Sequence, residues 1–186
     1  SQGLYHYGEI LVGPDDRSTG NEGLMKEYTN YMSVTDSNYG KTLRDAFAQG
    51  TVPASYANWA ARGISNDKLI YWGESHDTWS NNQDWGYSNG LSQNTIDRAY
   101  AVAASRDDVC ALYFSRPSST VKDSIYAGQK GSTHFESDEI AEVNKAISVL
   151  EKEVADGYET TLTVKVNSIG EDDDNNDNDD NNGGSG

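Results

Sequence analysis

Residues 69–77 read Leu-Ile-Tyr-Trp-Gly-Glu-Ser-His-Asp. The run of four apolar and aromatic residues is typical of a short strand, and the glycine marks its end. Polar side chains follow at once, with Glu74, His76 and Asp77 in the loop after the strand. In parallel α/β barrels, the side chains of the active site collect at the carboxyl ends of the strands. This stretch therefore indicates both the fold class and the place to look for function.

Strand and helix signals alternate on both sides of this stretch. Strands are predicted over Leu4–Val12, Tyr31–Val34, Leu69–Gly73 and Val109–Phe114, and helices over Ser37–Gln49, Ser55–Arg62, Gln93–Ser105 and Ser137–Asp156. Short apolar strands separated by helices of 10–15 residues favour a parallel α/β structure. Four such units are half of an eight-strand barrel, which usually needs about 250 residues.

The predicted architecture is therefore a partial (β/α)8 barrel. A self-contained flavodoxin-like sheet is the competing architecture. No glycine-rich phosphate loop follows the first strand, and no G-x-G-x-x-G motif occurs in the chain. These two absences from the sequence count against the flavodoxin-like sheet. We predict that residues 1–157 form the half-barrel and that 158–168 form a strand that begins a further module. Residues 169–186 contain almost nothing apolar and are predicted to be a disordered acidic linker.

The charge balance restricts the class of partner. The formal net charge is −16, with seven acids and no base between Glu171 and Asp180. Because the chain has no basic stripe and no apolar run long enough to span a membrane, we expect neither nucleic-acid nor membrane binding. The 12 Tyr and 4 Trp offer flat faces with polar edges, which suit uncharged sugars. The single cysteine, Cys110, can build no intramolecular disulfide or cysteine-based zinc site, and we expect no metal ligand and no cofactor in this chain.

The beginning of the chain carries no secretion signal and no initiator Met. We expect it to be a fragment of a longer protein.

Two acidic positions follow predicted strands and are candidates for catalysis. Glu9 comes after the first strand and Asp77 after the third, so in a parallel barrel both face one cleft. Two carboxylates across a sugar-sized gap are what glycoside hydrolysis requires. His76 can donate a hydrogen bond to a sugar hydroxyl or hold a neighbouring carboxylate.

Aromatic residues surround the same loop. Trp79 and Trp85 are candidates for stacking on sugar faces. Each of these features also has an ordinary interpretation, because a Glu after a strand is often a solvated loop residue and a tryptophan cluster is often core packing.

The motifs together resemble glycoside hydrolase family 13, the α-amylase family. The match to its fifth barrel strand is Tyr7-Gly8-Glu9-Ile10-Leu11, and the match to its seventh is Glu74-Ser75-His76-Asp77-Thr78. The stretches 94–100 and 110–117 resemble the seventh helix and eighth strand of bacterial α-amylases, and 135–144 resembles the eighth helix. The resemblance covers about residues 3 to 148 and implies strands five to eight of the barrel.

The resemblance implies a role for each matched residue. Glu9 takes the role of general acid/base, Asp77 that of transition-state stabiliser, and His76 contacts the sugar in the subsite that is cleaved. It also implies a secreted enzyme that acts on starch or maltooligosaccharides. The family's nucleophile, an Asp that ends the fourth strand two residues after an Arg, has no counterpart here. The residues that bind the family's structural calcium are absent as well.

We therefore expect the 186-residue chain alone to be inactive, and to need the missing N-terminal half-barrel or to self-associate. Two other functions stay open from the sequence. One is a non-catalytic glucan-binding module that uses the aromatic loop Trp79–Tyr87. The other is an acidic α/β interaction domain in which Glu9 and Asp77 lie far apart.

Overall fold

The computed structural model describes residues 3–9, 19–51, 59–80, 88–106, 109–117 and 131–157. Its centre is a four-stranded parallel sheet in the order β1-β2-β3-β4. The strands are β1 (Tyr7–Gly8), β2 (Ser33–Thr35), β3 (Leu69–Trp72) and β4 (Cys110–Leu112). Each strand pairs with the next along the chain, for example Val34 with Leu69 and Ile70 with Cys110. The prediction of a parallel α/β fold is confirmed.

The strand order also separates the two predicted architectures. A flavodoxin-like sheet has the order 2-1-3-4-5, in which the chain reverses direction across the sheet. The four described strands follow one another without such a reversal. This order is consistent with consecutive units of a (β/α)8 barrel, in which each strand lies beside its neighbour in sequence.

Five α-helices occupy the described residues. They are α1 (Thr19–Tyr28), α2 (Ser37–Ala48), α3 (His76–Ser80), α4 (Gln93–Ala104) and α5 (Asp138–Ala155). The three long ones begin at side chains that accept a hydrogen bond from a first-turn amide, namely Asp36, Ser92 and Ser137. Helix α2 contacts α4, and α4 contacts α5. These helices therefore stand side by side against the sheet.

The apolar core lies between the sheet and these helices. Leu69 and Tyr71 of β3 pack with Leu43 and Phe47 of α2 and with Ala103 of α4. All four residues of β3 are buried. In the outermost strand, β1, the residue Tyr7 is half exposed. The apolar run that predicted a strand is thus the most deeply buried strand of the described sheet.

Several element boundaries differ from the prediction. The first strand was expected over Leu4–Val12 but contains two residues, Tyr7–Gly8, within the described part. Helix α1 was not predicted, because its two glycines weaken the helical signal. Its Met25 is 1% exposed within the core, so tertiary packing stabilises it. Of the helix predicted over Ser55–Arg62, the described residues contain the 3-10 turn Ala60–Arg62.

The predicted strand over 158–168 and the predicted linker over 169–186 lie outside the described residues. Within the described part of the chain, none of the helices has the length and apolar character needed to cross a bilayer.

A glycine in α2 tests how tightly this helix packs on the sheet, and a glycine in α1 provides the comparison. A Cβ on Gly40 of α2 would lie 2.8 Å from the carbonyl oxygen of Trp72, a backbone atom that cannot move aside. We expect Gly40→Ala to lower the free energy of unfolding by about 1–3 kcal/mol through overpacking. A Cβ on Gly23 of α1 meets nothing within 4 Å.

Gly23→Ala is the matched control, and it should raise the free energy of unfolding by about 0.5–1 kcal/mol through helix propensity alone. Urea unfolding followed by circular dichroism measures both variants. Equal and small effects of the two substitutions would contradict the close approach of α2 to β3.

Candidate active site at the carboxyl edge of the sheet

The parallel strands bring acidic residues to one edge of the sheet. Glu9 follows β1 directly, Asp36 follows β2 directly, and Glu74 lies two residues beyond the end of β3. Because all four strands run in the same direction, their carboxyl ends share an edge. The sequence prediction that Glu9 and the 74–77 group follow strand ends of one sheet agrees with this arrangement.

Glu9, His76 and Asp77 are open to solvent. Glu9 is exposed, and the side chains of His76 and Asp77 are 76% and 54% exposed. The His76 Nε2 atom lies 3.6 Å from Asp77 Oδ1. Strands β1 and β3 flank β2, so their axes are two strand spacings apart, about 10 Å. A sugar ring can therefore reach these side chains, and their catalytic roles stay predictions.

A local turn holds His76 and Asp77 at the start of α3. The Ser75 amide donates to Thr78 Oγ1 at 3.0 Å, and the Thr78 amide lies 3.4 Å from Ser75 Oγ. This reciprocal pairing of side chains and backbone amides begins a helix in the way a capping box does. Thr78 Oγ1 also bonds Ser88 Oγ at 3.0 Å, and Ser88 is fully buried. The turn is thereby tied to the segment that precedes α4.

A buried ion pair lies beneath this turn. Arg116 Nε donates to Glu74 Oε1 at 2.8 Å, and Arg116 Nη2 donates to Glu74 Oε2 at 2.9 Å. The Glu74 side chain is 0% exposed and that of Arg116 is 12% exposed. Arg116 Nη2 also donates to the carbonyl of Leu91 at 3.0 Å. Two parallel charge-assisted hydrogen bonds fix both side chains, so Glu74 serves to connect β3 with the segment after β4.

Trp79 lies inside this packing. It is 5% exposed, and the guanidinium carbon of Arg116 lies 4.4 Å from the centre of its ring. Its Nε1 atom is buried, and none of the described residues accepts its hydrogen. In this structure the ring thus contacts Arg116, as a packing residue would, and stacking of Trp79 on a sugar stays a prediction. Trp85, the other predicted stacking residue, lies outside the described residues.

Asp36 is an acidic residue of this edge that sequence reasoning missed. Its carboxylate accepts hydrogen bonds from the Tyr39 amide at 3.0 Å and from Trp59 Nε1 at 2.6 Å. Burial raises the pKa of Asp36, and these hydrogen bonds act in the opposite direction. The signal was present in the sequence, since an Asp after a short apolar strand and before a helix is a typical N-cap.

Arg44 is the second residue that the sequence did not reveal. Burial lowers the pKa of its guanidinium to about 10, while Asp45 and Glu74 act in the opposite direction. Arg44 Nη1 donates to the carbonyl of Gly73 at 3.0 Å, and the guanidinium lies over the ring of Trp72. This cation supports the backbone at the end of β3, from which the loop with His76 and Asp77 starts.

Similarity to known proteins points to the same family as the motifs. The chain is 28% identical over 156 residues to an α-amylase of Butyrivibrio fibrisolvens, a match that covers 76% of this chain and 15% of the relative. It is 26% identical over 142 residues to an α-amylase of Clostridium acetobutylicum, which covers 76% of this chain and 16% of the relative. No family model matches the chain. The resemblance to the α-amylase family is confirmed, and the chain spans about a sixth of the length of these relatives.

Proposed function

We propose that this chain contributes Glu9 and Asp77 to the active site of a retaining α-glucan hydrolase. The observation that carries the proposal is the parallel sheet, because β1 and β3 end at one edge and the two carboxylates follow these strands. The similarity to two α-amylases supports the class of reaction. Strands β1 to β4 would then be strands five to eight of the complete barrel.

In this reaction Glu9 protonates the glycosidic oxygen as the bond to the leaving group breaks. A nucleophilic carboxylate from outside the printed sequence attacks the anomeric carbon and forms a glycosyl intermediate. Glu9 then takes a proton from a water molecule, which attacks the anomeric carbon and displaces the nucleophilic carboxylate, so the sugar leaves with retained configuration. Asp77 stabilises positive charge on the sugar ring, and its value lies in binding the transition state better than the relaxed substrate.

His76 is the proposed sugar ligand beside Asp77. Its imidazole is 76% exposed and near Asp77 Oδ1, so it can donate to a sugar hydroxyl while Asp77 faces the ring. The buried Glu74–Arg116 pair and the Ser75–Thr78 turn hold this segment. A site needs such support, because a loss of alignment of about 1 Å lowers the rate strongly. The chemistry proposed for these residues requires no organic cofactor.

We further propose that the substrate is a starch-like α-glucan met outside the cell. The support is the resemblance to the α-amylase family together with the acidic, tyrosine-rich composition, which suits uncharged sugars. The partner that completes the site is the half of the barrel that carries the nucleophile.

The 186-residue chain alone should show no turnover of a chromogenic maltooligosaccharide, because the nucleophile is not among its matched residues. A chimera tests whether this chain can contribute Glu9 and Asp77 to a working active site. In it, this chain replaces the aligned segment of the Butyrivibrio fibrisolvens α-amylase, and the chimera should hydrolyse the same substrate. Circular dichroism identifies chimeras that have folded.

Two outcomes would contradict the proposal. Turnover by the isolated chain that disappears in Glu9→Gln would show that no missing half is needed. A folded but inactive chimera that still binds maltooligosaccharide would favour the glucan-binding module instead. The packing of Trp79 against Arg116, with 5% of the residue exposed, supports the enzyme over that module.

A further inference from the structure

A polar network surrounds Asp97 on α4, apart from the proposed catalytic residues. Its Oδ1 atom accepts hydrogen bonds from the Tyr113 hydroxyl at 2.9 Å and from Gln93 Nε2 at 3.0 Å. Its Oδ2 atom lies 2.6 Å from Nε2 of His134. The Asp97 side chain is 10% exposed, so its charge is held largely out of water. A buried carboxylate of this kind is stable when a cation compensates its charge.

Glu139 completes a group of three metal-ligating side chains. It lies exposed in the first turn of α5, five residues after His134. One ligand atom from each of Asp97, His134 and Glu139 lies within 4.8 Å of the others. We propose that these three residues bind a divalent transition-metal ion, with zinc as the best fit.

The donor set selects this class of ion. One imidazole nitrogen and two carboxylate oxygens suit zinc, which takes three protein ligands and a water in open tetrahedral sites. Calcium takes six to eight oxygen ligands, and magnesium prefers carboxylates with several waters, so neither uses the imidazole well. The histidine is thus the residue that distinguishes zinc from these harder cations.

The geometry needs only small movements. Ligands about 2.0–2.1 Å from a tetrahedral zinc lie about 3.3 Å from one another. The His134–Asp97 contact of 2.6 Å must therefore open by less than about 1 Å. His134 is 31% exposed and Glu139 is exposed, so both can shift toward the ion.

Tyr113 and Gln93 fit the role of outer partners. The Tyr113 hydroxyl and the Gln93 amide nitrogen each donate a hydrogen bond to Asp97 Oδ1. Metal-binding carboxylates are commonly oriented by such hydrogen bonds. Both donors bond Oδ1, which leaves Oδ2 of Asp97 on the side of His134.

The sequence pattern did not suggest this site, and from it we expected no metal ligand in the chain. Asp97 and His134 are 37 positions apart, and no short motif contains both. The site joins α4 to the turn that begins α5, so a bound ion would stabilise the packing of these two helices.

Titration of the full chain with zinc chloride tests the site by calorimetry and by thermal unfolding. We expect one zinc ion per chain to bind and to raise the melting temperature, because it binds the native state. Glu139→Gln removes an exposed ligand without disturbing the core and should weaken this binding at least about tenfold. His134→Gln should weaken it as strongly, while Asp138→Asn removes an equal charge one residue away and should leave it unchanged.

The acids at 171–180 are a separate source of zinc binding, and the variants distinguish it. Binding that is equal in Glu139→Gln, His134→Gln and Asp138→Asn would assign the zinc elsewhere and overturn the site. Absence of saturable binding to the folded chain would overturn it as well. If calcium raised the melting temperature as much as zinc, and Glu139→Gln abolished that rise, the choice of a transition metal would be wrong.

Discussion

Glu9→Gln in the folded chimera should lower kcat on starch by about 100- to 10,000-fold, the contribution of general acid/base catalysis. Glutamine is close in size to glutamate, but it can neither donate the proton to the leaving oxygen nor take one from water. Because Glu9 is exposed at the end of β1, the substitution should leave the melting temperature unchanged. Glu142→Gln, an exposed position of α5, is the matched control and should retain full activity.

Two substrates with different leaving groups distinguish a catalytic acid from a residue that only supports the site. The dinitrophenolate leaving group of a dinitrophenyl maltoside departs without protonation. Glu9→Gln should therefore slow formation of the glycosyl intermediate far less on this substrate than on starch. Asp77→Asn should slow both substrates alike, since Asp77 is proposed to act on the charge of the sugar ring. Equal losses on both substrates for Glu9→Gln would contradict the assignment of Glu9 as the acid, as would retention of most of the activity.

Arg116→Met should cause the largest loss of stability among the variants considered. It leaves the Glu74 carboxylate, whose side chain is 0% exposed, without its cation. Removal of one partner from a buried ion pair lowers the free energy of unfolding by about 3–5 kcal/mol. The substitution of Arg116 also removes its hydrogen bond to the Leu91 carbonyl and its contact with the Trp79 ring. Urea unfolding monitored by circular dichroism measures the effect.

Three further variants keep this prediction testable even if Arg116→Met does not fold. Arg116→Lys keeps the charge but loses the two parallel hydrogen bonds, so an intermediate loss is expected. Adding Glu74→Gln to Arg116→Met should restore part of the stability, because no unpaired charge then remains buried. Lys152→Met breaks the exposed pair with Asp156 and should change stability by less than about 1 kcal/mol. A loss in Arg116→Met no larger than in Lys152→Met would show that Glu74 does not depend on Arg116.

The local elements of the fold followed from the sequence where the signals were strong and short in range. The apolar run of β3 and the helical signals over Gln93–Ser105 and Ser137–Asp156 predicted a strand and two helices that the structure contains. Helix α1 was missed because its glycines obscure the pattern, whereas the structure packs its Met25 into the core. Propensity is a weak signal that tertiary contacts override.

By itself the sequence determined the parallel α/β class, the resemblance to the α-amylases, and the choice of Glu9, His76 and Asp77 as candidates. These features depend on residues that are close together along the chain. Only the tertiary structure decided that Glu74 pairs with Arg116, 42 positions away, and that Asp97 meets His134, 37 positions away. Each of these contacts forms because adjacent βα units place distant segments side by side at one edge of the sheet. Burial makes such pairings necessary, because a charge that is removed from water needs a partner. A sequence pattern does not show which partner the fold supplies.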